Sequence, residues 1–255
     1  MKIYVCVKHV PDTAANIKIA GDAGFDESVK FILNPYDEYA VEEANRVVKE
    51  KGGEVVIVTV GKDAAVSTIR SALAVGADRG LFVKTGDQFL DSGYTSRILK
   101  AAIEQDGTPD FIFTGKQSID SEGMQVHYRL AAAFGMPVAT EVVSLALEDG
   151  KAVVECEIGG GEREVLELAT PCVIGATRGL NEPRYPKLPD ILKAKKKQIK
   201  QIDLSELPVA PSDKSAAVVK LEAVPERGQA RMLEGSSRKM VEELVRLLKE
   251  EDKIL

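Results

Sequence analysis

The stretch EVVIVTVGKDAAVSTIRSALAVGADRGLFVK, residues 54–84, decides the fold of this chain. It contains two short runs rich in β-branched residues, 54–61 and 79–84, on either side of a segment with helical spacing, 62–77. Apolar strands that are separated by helices pair in parallel and are covered on both faces. The stretch therefore predicts a strand–helix–strand unit of a parallel sheet.

The same alternation continues on both sides of this unit. The other strand-like runs are IYVCVKHV (3–10), DFIFTG (110–115) and PCVIGA (171–176). The other helical patterns cover 34–53, 94–107 and 121–136. Glycines stand where a left-handed residue would end each helix: Gly52, Gly76, Gly107 and Gly135. We predict an α/β fold with a doubly wound, mostly parallel sheet.

Two segments interrupt this rhythm with antiparallel patterns. Residues 138–168 form three strand-like runs joined by turns at EDG (148–150) and GGG (159–161). Residues 17–32 have the pattern of a small early hairpin. We therefore expect a small antiparallel extension of the main sheet.

The chain changes character after about residue 203. We assign residues 1–203 to the α/β domain and 204–255 to an extended arm with several prolines. The arm ends in an amphipathic helix, which Ser236 or Ser237 can cap. Its apolar stripe comprises Met240, Leu244, Leu247 and Leu248. A lone helix of this length is marginal in water, so we expect it to pack on the chain's own core or on a partner subunit.

Charge and composition exclude several classes of protein. The net charge is −6, which argues against a general affinity for nucleic acid or for an anionic membrane surface. The sequence has no run of eighteen apolar residues and no signal-peptide pattern at its amino terminus, so we expect a cytoplasmic protein without direct membrane insertion.

Cysteine and histidine give no catalytic or metal pattern. Cys6, Cys156 and Cys172 form no CxxC pair, so neither a disulfide framework nor a zinc site is expected. His9 and His127 lie in no HExxH motif and beside no obvious nucleophile. We predict no catalytic residue in this chain.

Ligands of open parallel sheets bind outside the carboxyl ends of the strands. Three loops qualify there, at 34–37, 60–61 and 115–126. The third, GKQSIDSEGMQV, has glycines and small polar residues before a helix, which suits a phosphate group. It matches neither GxGxxG nor a Walker loop, so an ordinary polar connection remains the alternative at this point.

Five motifs together carry a family resemblance: VCVKHVPDT, NPYDEYAVEEANR, ALAVGADRG, TGKQSIDSEGMQV and LNEPRYPKLPDILKAKKKQI. In this order and at these spacings, the chain closely resembles the β subunit of electron transfer flavoprotein. The resemblance implies an adenine-nucleotide α-hydrolase-like sheet and an electron carrier rather than an enzyme. It also implies a heterodimer with an α subunit that holds most of the FAD site.

The resemblance further implies that a structural AMP binds to this chain. The implied contacts are Cys6, Asn34, Pro35, Tyr36, Asp37, Val60, Gly115, Lys116, Gln117, Ser118, Ile119, Asp120, Ser121, Glu122, Gly123, Met124, Gln125 and Val126. Backbone N–H groups of the 115–126 turn would bind the phosphate, and Cys6 and Val60 would flank the adenine. Asp120 and Gln125 would bond the ribose or anchor the loop.

Two alternatives stand beside this interpretation. Some β subunits bind a second FAD in place of AMP, accept hydride from NADH and split electron pairs. The stretch FLDSGYTSR (89–97) departs from their pattern, although Asp91, Ser92 and Thr95 keep some polarity, so AMP is favoured. An adenine-nucleotide ligase or pyrophosphatase is the alternative of another class, but the chain has no SGGxDS-like loop.

The stretch LNEPRYPKLPDILKAKKKQIK, residues 180–200 and here called the recognition segment, implies the partners. Its prolines make an ordinary helix or central strand unexpected. In the family, the matching segment docks flavoprotein dehydrogenases, typically acyl-CoA dehydrogenases of fatty acid oxidation, and a membrane quinone reductase accepts the electrons. Leu188 would be the apolar anchor, and Lys193 and Lys196 would steer the partner. The alternative is a helix that starts at Pro189 with lysines at its carboxyl end.

Overall fold

The computed structural model describes residues 1–148, 150–210, 216–224, 228, 230–251 and 253–254. The strands are β1 (Lys2–Cys6), β2 (His9–Pro11), β3 (Ile19–Ala20), β4 (Gly24–Phe25), β5 (Phe31–Leu33), β6 (Glu54–Gly61), β7 (Arg79–Lys84), β8 (Phe111–Gly115), β9 (Val138–Glu148), β10 (Lys151–Gly159), β11 (Glu162–Ala169), β12 (Cys172–Ala176) and β13 (Ile199–Asp203). The α-helices are α1 (Pro35–Lys51), α2 (Val66–Val75), α3 (Ser92–Asp106), α4 (Val126–Phe134), α5 (Leu188–Ala194) and α6 (Ser237–Glu250).

A nine-stranded sheet organises the chain, with the strand order β11-β10-β9-β12-β8-β1-β6-β7-β13. The strands from β12 to β13 in that order pair in parallel, and β9 also runs parallel to β12. Strands β9, β10 and β11 pair antiparallel at one end. The predicted doubly wound sheet with a small antiparallel extension is confirmed. The residue at the β9–β10 turn, 149, lies outside the described residues.

Helices cover both faces of this sheet because its central strands are apolar on both sides. Ile3 and Val5 of β1 pack with α1 and α2, while Tyr4 and Cys6 of the same strand pack with α3 and α4. Successive side chains of a strand point to opposite faces, so one strand contributes to both layers of the core. The continuous apolar runs in the sequence reflect this double burial.

Two predicted elements differ from the structure. The run 3–10 is not one strand, because β1 ends at Cys6 and His9 begins β2, which pairs antiparallel with β5. The predicted helix 121–136 begins only at Val126, since Glu122 and Met124 adopt positive φ values of 48° and 50°. A right-handed helix excludes that backbone conformation.

The glycine helix ends are confirmed in position but only partly in conformation. Gly135 has φ 67° and ψ 31°, which is the left-handed conformation that was predicted. Gly52 also has positive φ, 78°, but its ψ of 159° is extended. The chain therefore leaves α1 directly in the direction of β6, without a left-handed cap.

The chain divides into two compact units, Met1–Leu221 and Glu222–Leu255. Within the second unit, the predicted helix is present as α6, and the Ser236 hydroxyl accepts a hydrogen bond from the Lys239 backbone N–H. Among the described residues, no helix combines the length and apolar character needed to cross a membrane.

Candidate functional site

A cavity of about 530 Å³ lies at the carboxyl ends of β1, β6 and β8. Strands β6 and β7 follow β1 on one side of the sheet, whereas β8 lies on its other side. The connection from β1 leads to α1 on one face and that from β8 to α4 on the other, which opens a crevice between them. Ligands of doubly wound sheets bind at such a switch point.

The structure brings most of the predicted nucleotide contacts to the wall of this cavity. Those that line it are Cys6, Asn34, Asp37, Val60, Gly115, Lys116, Gln117, Ser118, Ser121, Gly123, Met124, Gln125 and Val126. The other predicted contacts are not among its lining residues; they are Pro35, Tyr36, Ile119, Asp120 and Glu122. They belong to the same two loops, 34–37 and 115–126.

Asp37 joins the three segments that meet at the switch point. It lies in the first turn of α1 and accepts hydrogen bonds from the backbone N–H groups of Lys8, at 2.7 Å, and Gly115, at 3.0 Å. Burial raises the pKa of Asp37 to about 7, although these hydrogen bonds oppose the shift. Asp37 therefore fixes the ends of β1 and β8 and is positioned as an anchor of the wall.

Asn34 also holds the 115–126 loop, through two backbone groups. Its Nδ2 donates to the carbonyl of Gln117 at 2.8 Å, and its Oδ1 accepts from the N–H of Ile119 at 3.1 Å. The side chain is buried, with 1% of the residue exposed. Because an amide has both a donor and an acceptor, it satisfies two backbone groups of a loop that belongs to no regular structure.

Lys8 is a site residue that sequence reasoning missed. Its Nζ donates to Asp120 at 2.7 Å and lies 3.3 and 3.4 Å from the hydroxyl oxygens of Ser118 and Ser121. The predicted role of Asp120 as a loop anchor agrees with this contact. The signal was a single lysine between the apolar residues of VCVKHV, where a buried strand would not place a charge.

The second half of the loop leads directly into α4. Glu122 and Met124 are left-handed, and Gly123 lies between them. The Gln125 side chain accepts hydrogen bonds from Ser92 at 3.0 Å and Arg129 at 2.8 Å. The turn ends at Val126, which begins α4 and lines the cavity. The first N–H groups of a helix have no partner within that helix, so those of α4 are available to a ligand there.

Two buried polar atoms in the cavity wall have no hydrogen-bond partner among the described residues: Thr114 Oγ1 and His127 Nε2. Burial lowers the pKa of His127 to about 4, so its ring is neutral near pH 7. A neutral imidazole carries one donor and one acceptor nitrogen. His127 stands outside the set of residues chosen from the sequence.

Lys116, near the start of the 115–126 loop, makes an ion pair with a residue outside that loop. Its Nζ lies 3.0 Å from both carboxylate oxygens of Glu141, and 5.1 Å from the centre of the Tyr36 ring. Glu141 has a positive φ of 55° at an irregularity of β9. The cation thus links the predicted phosphate loop to the start of the antiparallel extension.

Other residues that line the cavity were not among the predicted contacts. The rings of His9 and Phe31 stack with centroids 4.5 Å apart, and both residues line the cavity together with Phe89. Ala216, Ala217 and Val218 of the predicted arm also line it. These residues come from three distant parts of the sequence, so only the folded chain brings them together.

The recognition segment differs from its prediction in two respects. Residues 188–194 form the helix α5, with Pro189 in its first turn, where a backbone N–H would have no partner within the helix, so proline, which lacks that N–H, is tolerated. Leu188 is the first residue of this helix and is 69% exposed. The segment then enters β13, an edge strand parallel to β7, which sequence reasoning missed. The prolines therefore start a helix and do not prevent one.

The lysines at the end of the recognition segment fall into two groups. Lys193 and Lys196 are exposed, Lys193 in the last turn of α5 and Lys196 just after it, as the helix alternative predicted. Lys197 instead donates to the carbonyls of Leu73, at 3.0 Å, and Ala77, at 2.6 Å. Burial lowers the pKa of Lys197. This lysine thus stabilises the end of α2 and is not part of a free basic surface.

Comparison with known proteins gives one consistent family. Residues 23–207 match the model of the electron transfer flavoprotein domain. The chain is 33% identical to an electron transfer flavoprotein subunit beta of Bacillus subtilis, with full coverage of both chains. It is 41% identical to a mitochondrial one of Arabidopsis thaliana over 82% of this chain and 84% of that protein. Identity to the human protein of that name is 37% over 98% of this chain and 97% of the relative.

Proposed function

Because the chain belongs to the electron transfer flavoprotein β-subunit family, we propose that it forms a heterodimer with an α subunit and carries electrons between other proteins. The donors are flavoprotein dehydrogenases of the acyl-CoA dehydrogenase type, and the acceptor is a membrane quinone reductase. FAD, held mainly by the α subunit near the interface, supplies the redox chemistry when bound. The role of this chain is to complete the heterodimer and to dock the donor.

The observation that carries the nucleotide part of the proposal is the cavity at the switch point. Its volume of about 530 Å³ lies within the roughly 300–1,000 Å³ typical of small-molecule sites. We propose that it binds AMP as a structural ligand. Binding to the folded state alone stabilises that state by mass action, without any chemistry on the nucleotide.

The donor set of the cavity fits a monophosphate nucleotide. The hydroxyls of Ser118 and Ser121 and the turn around Gly123 line the same wall as the amino terminus of α4. Unpaired backbone N–H groups and the positive end of the helix dipole favour a phosphate at such a place. The Lys8 cation, 2.7 Å from Asp120, lies at this wall and adds positive charge.

The base would occupy the apolar part of the wall between the ends of β1 and β6. Cys6 and Val60 line this part, and both are predominantly apolar in character. Burial raises the pKa of the Cys6 thiol far above its usual value, so Cys6 acts as a small apolar surface. The unpartnered Thr114 Oγ1 and His127 Nε2 supply polar groups for the ligand or for bound water.

A second FAD in place of AMP is the alternative, and the length of the cavity is the observation that favours it. The cavity continues to His9, Phe31 and Phe89, and it includes Asp91, Ser92 and Thr95 of the 89–97 stretch. The Asp91 carboxylate, however, accepts hydrogen bonds from the N–H groups of Gly93 and Tyr94 and caps α3. This use of Asp91 within the fold supports AMP.

The recognition segment supports the docking part of the proposal. It presents exposed apolar side chains, with Tyr185 at 95% and Leu188 at 69% exposure. Lys193 and Lys196 lie on the same short helix or directly after it. An apolar anchor in a pocket with charges at the rim is a common arrangement for a transient complex that must form and dissociate quickly.

Nucleotide extraction from the purified heterodimer tests this function. Denaturing the complex should release about one FAD and one AMP per heterodimer if the proposal holds. Two FAD and no AMP would replace it with an electron-bifurcating function. Turnover of ATP by the complex would instead support the ligase or pyrophosphatase alternative.

A further inference from the structure

We propose that Glu42 of α1 and Arg70 of α2 are positioning residues that hold the recognition segment in the shape in which it meets a partner dehydrogenase. The inference rests on the docking role proposed above. Neither residue lies in the recognition segment, and Glu42 is buried, with 5% of the residue exposed. Its influence on docking therefore has to pass through the residues that it holds.

Glu42 fixes the amino-terminal half of the segment. Its carboxylate forms a bidentate pair with Arg184, with Nη2–Oε1 at 2.6 Å and Nε–Oε2 at 2.7 Å. A fork of this kind defines direction as well as distance, because two parallel hydrogen bonds restrict rotation of the guanidinium group. Arg184 immediately precedes the exposed Tyr185.

Asn181 adds a second contact between the same two elements. Its Nδ2 donates to the carbonyl of Tyr39 at 3.0 Å and to the carboxylate of Glu43 at 2.9 Å. Glu43 is buried, and burial raises its pKa. The extended part of the recognition segment is thus held at two points along α1.

Arg70 fixes the carboxyl-terminal half. Its Nη1 donates to the carbonyls of Ala194 and Lys197, both at 2.6 Å. Lys197 in turn donates to carbonyls at the end of α2. The end of α5 is therefore bonded by a cation of α2, and the end of α2 by a cation that follows α5. Two of the accepting carbonyls, those of Ala194 and Leu73, lie in the last turns of α5 and α2, where helix carbonyls have no partner within the helix.

The residues between Arg184 and Ala194 explain why the recognition segment needs these contacts. Helix α5 has seven residues, and an isolated helix of that length is not stable in water. Apart from the buried Ala194, its apolar side chains Leu188, Ile191 and Leu192 are exposed, with 40–69% of each residue accessible. Contacts with α1 and α2 therefore have to hold this apolar face in place before a partner arrives. Preorganisation of this kind reduces the entropy lost on binding.

The charge of Glu42 makes the proposal distinguishable from electrostatic steering. Glu42→Gln removes a negative charge near a basic segment, which would speed association with an acidic partner if charge alone mattered. Positioning predicts the opposite result, a weaker complex. Arg70→Lys keeps the charge of Arg70 but shortens its reach, so steering predicts no change there.

The test measures affinity of the complete heterodimer for an acyl-CoA dehydrogenase from the same organism. Glu42→Gln and Arg70→Lys should each weaken binding about two- to tenfold, the range that ordering one or two side chains on docking corresponds to. The matched control is Glu54→Gln, which alters a similar bidentate pair, with Arg79, whose side chain bonds Glu54 and Asp106 and no residue of the recognition segment. That variant should bind as the wild type does.

A double-mutant cycle with Leu188→Ala separates positioning from general loss of structure. If Glu42 acts through the placement of Leu188, adding Glu42→Gln to Leu188→Ala should weaken binding by much less than it does alone. Full additivity, unchanged binding of both positioning variants, or equal loss in Glu54→Gln would each overturn the inference. An unaffected Leu188→Ala complex would instead refute the docking role itself.

Discussion

The carboxylate of Asp37 accepts a hydrogen bond of 3.0 Å from the backbone N–H of Gly115, and no side chain fits between them. A Cβ added to Gly115 would overlap Asp37 Oδ1 and the backbone of Tyr36. The end of β8 therefore packs directly against the first turn of α1, with no room for a side chain at position 115. The crevice at the switch point depends on this contact, because the 115–126 loop begins there.

Gly115→Ala should therefore loosen the proposed nucleotide site. Overpacking of a tight contact typically costs about 1–3 kcal/mol, and we expect a lower melting temperature and loss of bound nucleotide from the heterodimer. Gly86→Ala is the matched control, since a Cβ there meets no atom within 4 Å. Full nucleotide content in Gly115→Ala would show that this contact does not position the loop.

His127 should make stability depend on pH. Its pKa is about 4 in the folded chain against 6.5 as a free side chain, so the unfolded state binds more protons between these values. Stability is therefore lost as pH falls from about 6.5 to 4, by up to roughly 3 kcal/mol from this group. His127→Phe should remove that contribution, as urea unfolding of variant and wild type at pH 7 and pH 5 would measure.

Asp37 also changes the stability of the chain with pH, so the His127→Phe profile has to be compared with that of the wild type. Its raised pKa, about 7 against 3.8, means that the folded state retains a proton which the unfolded state releases. It therefore contributes the opposite slope, with stability gained as pH falls from about 7 to 3.8. Only the difference between His127→Phe and wild type isolates the histidine. Parallel pH profiles of the two proteins would show that His127 is not held neutral by burial.

Leu188→Ala should weaken docking of the dehydrogenase. Burying a leucine side chain contributes about 1.5–3 kcal/mol, which corresponds to a roughly 10- to 100-fold loss of affinity. Electron transfer from the dehydrogenase is compared with reduction by a small chemical donor, which needs no docking. Ile17→Ala, at another exposed aliphatic residue, serves as control. Equal slowing of both reactions in Leu188→Ala would contradict the anchor role.

Lys193 and Lys196 should act mainly on the association rate. Replacing both with Gln removes two charges beside the apolar anchor and leaves the hydrogen bonds of Arg70 and Glu42 in place. Stopped-flow measurements should show slower association at low salt and a smaller difference at high salt, because screening removes steering. Lys18 and Lys49, also replaced with Gln, provide a charge-matched control. An effect that persists at high salt would indicate direct contacts instead of steering.

Deleting residues 236–255 should weaken assembly with the α subunit. The deleted region contains α6, whose apolar residues include the partly exposed Val241, Leu244 and Val245. An amphipathic helix gains stability from the surface on which its apolar face is buried. Analytical ultracentrifugation over a dilution series should reveal dissociation at higher concentrations than for the full chain. A truncated heterodimer of unchanged stability would assign the helix to another surface.

The sequence by itself determined the layered α/β architecture. The runs 54–61 and 79–84 form strands with the predicted boundaries. A strand that is buried on both faces needs a short continuous apolar run, and this pattern marks where each strand begins and ends. Glycines and turn residues also located the antiparallel extension and most helix ends. The loops at the carboxyl ends of the strands followed from the topology alone.

Only the tertiary structure decided how individual side chains are used. Asn34 and Asp37, predicted as nucleotide contacts, also hold together segments that are about eighty residues apart, and Lys8 completes the same wall. In the recognition segment, Lys197 and Arg184 were indistinguishable from other basic residues until α1 and α2 supplied their partners. Local pattern reports burial and periodicity, whereas the partner of a polar group is set by contacts between distant residues, which exist only in the folded chain.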